Sequence, residues 1–171
     1  MIEVTHLTKV YNRHTAVSDL CFRLEAGKIY GLLGPNGAGK STTLNLITGC
    51  LAPTSGTVTI DGLDIYKDAK RAKAKIGYLP EIPPLYPNMT VGEYLRFTGQ
   101  VRRLSRSALA DRVNAAMAQT QIQDAERCLI RTLSKGYRQR IGIAQTLIGN
   151  PEVIILDEPT VGLDPKQISE I

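Results

Sequence analysis

Two short segments of this sequence carry residues suited to binding a polyphosphate and a metal ion. Residues 34–42 read GPNGAGKST and have the spacing Gly-x-x-x-x-Gly-Lys-Ser. Glycines at this spacing allow successive backbone N–H groups to point at one anion, and the lysine and serine add a positive charge and a metal-binding hydroxyl. Residues 153–158 read VIILDE, an apolar run that ends in two adjacent carboxylates. The two segments together predict a site for a magnesium-bound nucleotide.

Individual residues of these segments have predicted roles. We expect Lys40 to neutralise the outer phosphates and the Ser41 hydroxyl to ligate Mg²⁺. Asp157 leaves a buried strand at the end where parallel sheets hold their ligands, so its carboxylate is the expected second partner of the metal, directly or through another ligand. Glu158 is the candidate general base that polarises an attacking water. The predicted phosphate-binding residues are Gly34, Pro35, Asn36, Gly37, Ala38, Gly39, Lys40, Ser41 and Thr42.

The elements that flank these segments predict an α/β fold. Residues 28–34, KIYGLLG, are a short apolar run suited to a central strand, and residues 40–49 read as a helix that Gly49 terminates. Residues 1–30 and 55–62 are rich in β-forming residues. A strand before the loop and a helix after it favour a phosphate-binding loop over a glycine-rich hairpin beside an ordinary helix. For the two carboxylates, the alternative is an exposed acidic turn.

The middle of the chain predicts an inserted helical part. Thr90 and Glu93 have the spacing of a capping box, and helical periodicity continues to about residue 130. Leu109, Val113, Ala116 and Met117 fall on one helical stripe. Ser134 is the expected N-cap of a further helix that runs to about Ile148, after which EVIILDE returns to a strand. This order of elements is typical of an α/β domain with a helical subdomain.

Composition and charge set the broad class of the protein. The 171 residues are 43% hydrophobic and 22% charged, which suits one globular domain, and the net charge of +5 mildly favours acidic partners. The three cysteines are widely spaced and lack a Cys-x-x-Cys pattern, which disfavours a disulfide framework or a zinc site and favours a reducing compartment. The sequence has no signal peptide and no run of about 20 apolar residues, so we expect any membrane role to require a partner.

Taken together, these motifs resemble the nucleotide-binding domain of the ATP-binding cassette (ABC) family. Residues 34–42 are similar to its Walker A loop, and residues 153–158 are similar to its Walker B strand. Residues 133–140, LSKGYRQR, resemble the family signature Leu-Ser-Gly-Gly-Gln. Residues 162–165, GLDP, with Asp164, resemble the loop that meets the partner subunit after Walker B. Ordinary P-loop enzymes lack these last two features, and the resemblance covers nearly the whole chain.

The resemblance implies a fold and its organisation. It implies a P-loop NTPase core of the RecA-like type, with an N-terminal antiparallel β subdomain and an inserted α-helical subdomain, incomplete at the C-terminus. The single truncated domain over residues 1–171 would comprise the β subdomain and Walker A core (1–80), the loop and helical subdomain (81–133), and the signature helix, Walker B strand and following loop (134–171). The family has a switch histidine after this loop, whereas the only histidines here are His6 and His14. We therefore expect this piece to bind nucleotide poorly or not at all and to turn it over slowly.

Further nucleotide contacts are implied by the resemblance. Tyr11 would stack on adenine, and Ser134 and Gly136 would reach across a dimer interface to the γ-phosphate held by the other subunit. Glu81, in YLPE, stands where the family usually has a glutamine that touches both the metal and the membrane domain, and a carboxylate oxygen also suits Mg²⁺. Lys135 replaces the first signature glycine and adds a positive charge. The alternatives stay open: Tyr11 as a core or edge-strand tyrosine, and Glu81 as an exposed acid in a proline-rich loop.

The function implied by the resemblance is an ATP- and Mg²⁺-dependent ATPase that powers membrane transport. YLPE and LSKGYRQR are similar to segments of the separately encoded ATPases that pair with type-2 ABC exporter permeases. The implied partners are an integral-membrane permease, contacted through the region around Glu81, and a second nucleotide-binding domain, identical or different. The implied location is cytoplasmic, peripheral on the inner face of the cell membrane.

Two other function classes compete with transport. The first is a cassette ATPase that acts on nucleic acid or the ribosome, supported by the basic residues 67–75 and by Arg102, Arg103 and Arg106. Such charges more often cover a solvated helical face, and the sequence has neither sustained heptads nor zinc-binding cysteine pairs, so nucleic acid is the disfavoured partner. The second is a P-loop kinase or GTPase, which the missing guanine-reading Asn-Lys-x-Asp motif and the signature-like stretch disfavour.

Overall fold

The computed structural model describes residues 1–161 and 163–170 and divides the chain into two units, Met1–Lys75 and Ile76–Ile171. The first unit holds a four-stranded antiparallel sheet with the strand order β2-β1-β3-β4. Its strands are β1 (Ile2–Tyr11), β2 (His14–Leu24), β3 (Ser55–Ile60) and β4 (Leu63–Asp64). The β-rich N-terminal segment expected from the sequence is therefore confirmed. No helix among the described residues is long and apolar enough to cross a membrane.

Alternation along β1 decides which face of this sheet is buried. Ile2 and Val4 are buried while Glu3 and Thr5 are exposed, as the two-residue period of a strand requires. Two helices belong to this unit, α1 (Lys40–Ile47) and α2 (Ala69–Ala74). The other buried apolar side chains of the unit are Leu7, Val17, Leu46, Ile47, Val58, Ile60, Ile65 and Ala72. Each such Val, Leu or Ile contributes about 1.5–3 kcal/mol on burial.

Gly39, the last glycine of the glycine-rich loop, is the N-cap of helix α1. Gly39 has a φ of +86°, and a Cβ at this position would lie 2.4 Å from the carbonyl oxygen of Ala16 on β2. Glycine satisfies both conditions because it has no Cβ and adopts left-handed backbone conformations readily. The loop and β2 therefore approach each other closely where the helix starts. The last helical residue is Ile47 and the C-cap is Thr48, so the helix ends just before Gly49, as predicted.

Residues 28–34 do not form the central strand that their apolar character predicts, so this prediction was wrong. They belong to neither sheet, and Ile29 and Leu33 are 102% and 92% exposed. An apolar run becomes a strand only when a neighbouring strand satisfies its backbone N–H and C=O groups. No strand among the described residues pairs with this segment. The glycine-rich loop is therefore anchored at its helical end, at Gly39.

The second unit holds a two-stranded parallel sheet and most of the helices. Strand β5 (Ile76–Leu79) pairs with β6 (Val153–Leu156), and Ile76 lies opposite Val153. The strand expected at residues 153–158 is present over Val153–Leu156, but the expected burial is wrong, because only Ile155 of the strand is buried and Ile154 is 49% exposed. The helices of this unit are α3 (Val91–Val101), α4 (Arg106–Gln119), α5 (Lys135–Leu147) and α6 (Pro165–Glu170), with short 3₁₀ helices at Gln123–Ala125 and Ile130–Thr132.

Local hydrogen bonds fix the starts of α3 and α5. The Thr90 hydroxyl accepts from the Glu93 N–H at 3.3 Å, and the Glu93 carboxylate accepts from the Thr90 N–H at 2.8 Å. The predicted capping box is confirmed, and the bond from the Thr90 N–H lowers the pKa of Glu93. Ser134 Oγ accepts from the Tyr137 N–H at 3.3 Å, which confirms Ser134 as the N-cap of α5.

Apolar stripes from α3, α4 and α5 form one hydrophobic core in this unit. Val113, Ala116 and Met117 of α4 are buried, and Leu109 packs against the same cluster, so the predicted helical stripe is confirmed. The other buried members are Val91, Tyr94, Leu95, Ile122, Ala125, Ile130, Ile141, Ala144 and Ile148. This core positions the start of α5, where the signature-like residues lie.

Candidate nucleotide site

The glycine-rich loop is exposed and leads directly into α1. The N–H of Ala38 donates to the Pro35 carbonyl oxygen at 3.2 Å, which closes a tight turn. Lys40 Nζ donates to the carbonyl oxygens of Gly34 at 2.9 Å and of Pro35 at 3.1 Å. The ammonium group is thus held against the loop rather than extended into solvent.

The start of α1 has the electrostatic character of an anion site. Gly39 at the N-cap offers no side-chain acceptor, and the first turn contains no acidic residue. The helix dipole places positive partial charge at this end, and Lys40 adds a full charge beside it. Ser41 and Thr42 lie half-buried in the first turn. All nine predicted phosphate-binding residues therefore fall on one loop and the helical turn that follows it.

Asp157 and Glu158 follow β6 directly. The Asp157 N–H donates to the Leu79 carbonyl oxygen at 2.9 Å, which continues the hydrogen bonding of β5 to β6 past the end of the strand. Asp157 is 4% exposed, so the alternative of an exposed acidic turn does not hold for it. Glu158 is half-buried and has a φ of +48°, and its carbonyl oxygen accepts from the Val161 N–H at 3.2 Å. The chain therefore reverses direction at the second carboxylate.

The signature-like residues form the first turn of α5. Ser134 and Lys135 are exposed, whereas Gly136 is buried, and a Cβ at Gly136 would lie 3.0 Å from the side-chain amide of Gln167 on α6. The Tyr137 hydroxyl donates to the Asp124 carboxylate at 2.7 Å, which raises the pKa of Tyr137. Helix α6 therefore packs on the signature turn.

The GLDP segment precedes α6 and lies only partly within the described residues. Gly162 falls outside them. Asp164 Oδ1 accepts from the Gln167 N–H at 2.9 Å, so Asp164 caps the start of α6.

Glu81 lies on the rim of a cleft of about 550 Å³ in the second unit. Glu81 is exposed, as the proline-rich-loop alternative expects, and Ile82 beside it is 81% exposed. Arg131 and Arg138 line the same cleft, and neither was predicted from the sequence as a site residue. The lining residues are Glu81, Ile82, Pro83, Leu85, Pro87, Ile130, Arg131, Lys135, Arg138, Gln139 and Val161.

Tyr11 lies at the end of β1, where the residue is 45% exposed. Lys9 Nζ lies 5.1 Å from the ring centroid, a cation–π contact. Tyr11 is not a core side chain, and β1 lies between β2 and β3, so it is not on an edge strand either. Neither alternative to stacking holds, and the adenine contact stays a prediction.

The predicted nucleotide residues are divided between the two units. The unit Met1–Lys75 contains Tyr11 and residues 34–42, and the unit Ile76–Ile171 contains Glu81, Ser134, Gly136, Asp157 and Glu158. Joint coordination of one metal ion by Ser41 and Asp157 stays a prediction.

Comparison with known proteins identifies the class. A model of the ABC transporter family matches residues 17–161, so the chain belongs to the ABC transporter family. The structure of an ATP-binding subunit of an ABC transporter superimposes with a TM-score of 0.88 at 30% identity, covering 99% of this chain and 71% of that one. A dimeric ATP-binding cassette in a post-hydrolysis state, bound to ADP and Pi, has a TM-score of 0.89 at 27% identity, covering 100% and 79%. The fold is that of an ABC ATPase domain.

Similar curated proteins are ATP-binding subunits. The linearmycin resistance ATP-binding protein LnrL of Bacillus subtilis (strain 168) and the bacitracin transport ATP-binding protein BcrA of Bacillus licheniformis are both 38% identical over 171 residues. The lantibiotic transport ATP-binding protein SrtF of Streptococcus pyogenes is 34% identical over 171 residues and is covered over 72% of its length. The matches to LnrL and BcrA include all of this chain but only 55% of each relative's length. The chain therefore spans about half the length of these relatives.

Proposed function

We propose that this chain is the nucleotide-binding domain of an ATPase that powers a membrane exporter. The observation that carries the proposal is the position of Lys40, whose ammonium is held by the loop carbonyls at the uncapped start of α1. Positive charge and backbone N–H groups collected at one helix end suit the phosphates of ATP. The exporter role is supported by relatives named for bacitracin transport, lantibiotic transport and Nod factor export.

Oxygen donors suited to Mg²⁺ are available for this nucleotide. Ser41 offers a hydroxyl in the first turn of α1, and Asp157 offers a buried carboxylate at the end of β6. Mg²⁺ binds oxygen ligands almost exclusively, so the donor set fits the ion. When bound, the ion would screen the negative charge of the phosphates. Glu81 is a further carboxylate ligand in this proposal.

Glu158 is the proposed general base. It directly follows the buried Asp157 and is itself half-buried, with a left-handed backbone. A carboxylate there can accept the proton of an attacking water, while Lys40 and the loop N–H groups stabilise the charge that develops on the phosphates. Glu158→Gln keeps the size of the side chain and removes the proton acceptor, so hydrolysis by the full-length protein should slow while ATP binding persists.

A second cassette, identical or different, is a proposed partner. Ser134 is exposed at the positive end of α5, with Lys135 beside it, so this helix start is able to meet a phosphate held by another subunit. Solved relatives include dimeric cassettes, one of them bound to ADP and Pi. Gly136 lets α6 pack against the same turn, which brings Asp164 and the signature turn onto one surface. Tyr11, with its exposed ring, is the proposed adenine contact.

The cleft around Glu81 is the proposed contact with the permease, and its use would place the domain on the cytoplasmic face of the membrane. Ile82 is 81% exposed and lines this cleft together with three cationic side chains, so the cleft offers a permease both an apolar and a charged contact. Purifying the full-length protein from membranes tests this: a permease should accompany the wild type, and Ile82→Asp should release it. Retention of the permease by that variant would remove the cleft from the interface.

Action on nucleic acid has no comparable support. Residues 69–74 of the basic run 67–75 form the short helix α2. Lys67 and Lys70 are exposed, as is usual for charged residues on or next to a solvated helix. The relatives reported above are named for transport or resistance, not for nucleic acid.

Lys40→Ala tests the phosphate-loop assignment directly. A lost charge-assisted contact is worth about 1.5–3 kcal/mol, so affinity for Mg-ATP should fall by roughly 10- to 150-fold. Lys67→Ala is the matched control because Lys67 is also a lysine of the first unit but lies on the exposed basic run. Titration with a fluorescent ATP analogue would measure both variants. Unchanged affinity in Lys40→Ala, or an equal loss in Lys67→Ala, would refute the assignment.

A further inference from the structure

A cluster of nitrogen, oxygen and sulfur ligands lies on the first unit, among residues that the nucleotide site does not use. His6 on β1 and Asp19 and Cys21 on β2 place their ligand atoms within 4.8 Å of one another. His6 Nδ1 and Asp19 Oδ1 are 2.7 Å apart, and Cys21 Sγ accepts from the His6 N–H at 3.1 Å. Three different ligand chemistries therefore converge on one patch of the surface.

Two β-bulges produce this convergence. On β1, Thr5 and His6 together lie opposite Cys21 alone, and on β2, Asp19 and its neighbour together lie opposite Thr8 alone. His6 has a φ of +50° and Asp19 a φ of +48°, so each bulge contains a non-glycine residue with left-handed backbone. A bulge re-aims the side chain that it carries, and bulges are frequent beside functional sites. Here both bulges turn their side chains to the same side of the hairpin, next to Cys21.

Packing holds the backbone of the cluster in place. Leu7, the residue after His6, is completely buried. A Cβ at Gly56 on β3 would lie 2.3 Å from the His6 carbonyl oxygen, so β3 closes tightly on the bulge. The Asp19 N–H donates to Thr8 Oγ1 at 3.0 Å. The ligand set is thus built on paired strands, where position is more precise than on a loop.

We propose that His6, Asp19 and Cys21 bind a divalent cation of the zinc class. Imidazole nitrogen and thiolate sulfur are the ligands that Zn²⁺ prefers in proteins, and a carboxylate oxygen completes a three-ligand set. All three residues are exposed, so water takes the fourth tetrahedral position. On binding, the Cys21 thiol releases its proton to solvent and the ion replaces the contact of His6 with Asp19. Mg²⁺ binds oxygen ligands, so this site differs in chemistry from that of the nucleotide.

Cobalt titration of the reduced chain, without nucleotide, tests the proposal. Co²⁺ reports tetrahedral thiolate ligation through its visible d–d bands and a near-ultraviolet sulfur-to-metal band, and one equivalent should saturate both. Cys21→Ser should abolish the sulfur band, and the matched controls Cys50→Ser and Cys128→Ser should retain it, because all three cysteines are free and exposed. Loss of the band in a control but not in Cys21→Ser, or no band in the wild type, would overturn the proposal.

Zinc affinity and thermal unfolding give a second readout. His6→Ala and Asp19→Asn should each weaken Zn²⁺ binding by more than the roughly 10- to 100-fold lost when only an outer partner of a ligand is removed. His14→Ala is the control for His6→Ala, since His14 is the only other histidine and is exposed. Zn²⁺ should raise the Tm of the wild type and of His14→Ala, because the ion binds the folded state. An equal rise in Cys21→Ser, which keeps the hairpin but lacks the thiolate, would contradict the assignment.

Discussion

Alanine at Gly39 and alanine at Gly37 separate two physical requirements of the glycine-rich loop. Both residues have left-handed backbone, with φ values of +86° and +82°. A Cβ at Gly37 meets nothing within 4 Å, whereas a Cβ at Gly39 would lie 2.4 Å from the Ala16 carbonyl oxygen. Gly37→Ala therefore adds only an unfavourable backbone conformation, and Gly39→Ala adds that conformation and a steric overlap with β2.

The two costs differ in size. Left-handed backbone costs an L-residue about 1–2 kcal/mol, so Gly37→Ala should lower the free energy of unfolding by roughly that amount. Forcing an extra atom into a packed region costs about 1–3 kcal/mol more, so Gly39→Ala should lower it by roughly 2–5 kcal/mol. The expected difference between the variants is the overlap alone.

Urea unfolding without nucleotide measures this difference. The midpoint should shift without a change in the m-value, because neither substitution alters the surface exposed on unfolding. Equal destabilisation by the two variants would refute the close approach of the loop to β2. Destabilisation by Gly39→Ala alone would instead refute the left-handed backbone at Gly37.

Two further predictions concern the second unit. Ile141 of α5 is completely buried, so Ile141→Ala should lower the free energy of unfolding by about 2–5 kcal/mol, and Ile154→Ala, at a position 49% exposed, should cost much less; urea unfolding that ranked them equally would contradict the core assignment. Burial raises the pKa of Tyr94 to about 12 from 10.0. The folded state then keeps a proton that the unfolded chain releases, so stability is intact below pH 10 and falls as the pH rises towards 12. Tyr94→Phe should flatten this fall, and an unchanged pH profile of unfolding would count against the shift.

Features set by near neighbours in sequence were predictable. The capping box of Thr90 and Glu93, the Ser134 cap and the end of α1 before Gly49 each depend on hydrogen bonds that span a few residues. The strand that precedes Asp157 was also predictable, since four consecutive apolar residues precede two acids, but its burial was not, because only Ile155 of Val153–Leu156 is buried. In these cases the residue types alone specify the backbone that they adopt.

Features that depend on distant partners were not predictable. The apolar residues 28–34 have strand-like composition, but a strand also needs a neighbour, and that information is not local. His6 and Cys21 of the cluster are 15 positions apart in sequence, and cysteine spacing alone disfavoured a zinc site. Only the pairing of β1 with β2, with the bulges at His6 and Asp19, brings these ligands together.

The left-handed backbone of Glu158 lowers the stability of the fold at a residue with a proposed chemical role. Glycine at this position would relieve about 1 kcal/mol of conformational strain, because it enters the left-handed region freely. The chain instead has a glutamate at this position and lacks that stabilisation. Under the proposed role of Glu158 as general base, the turn gives up this stability to present a proton acceptor.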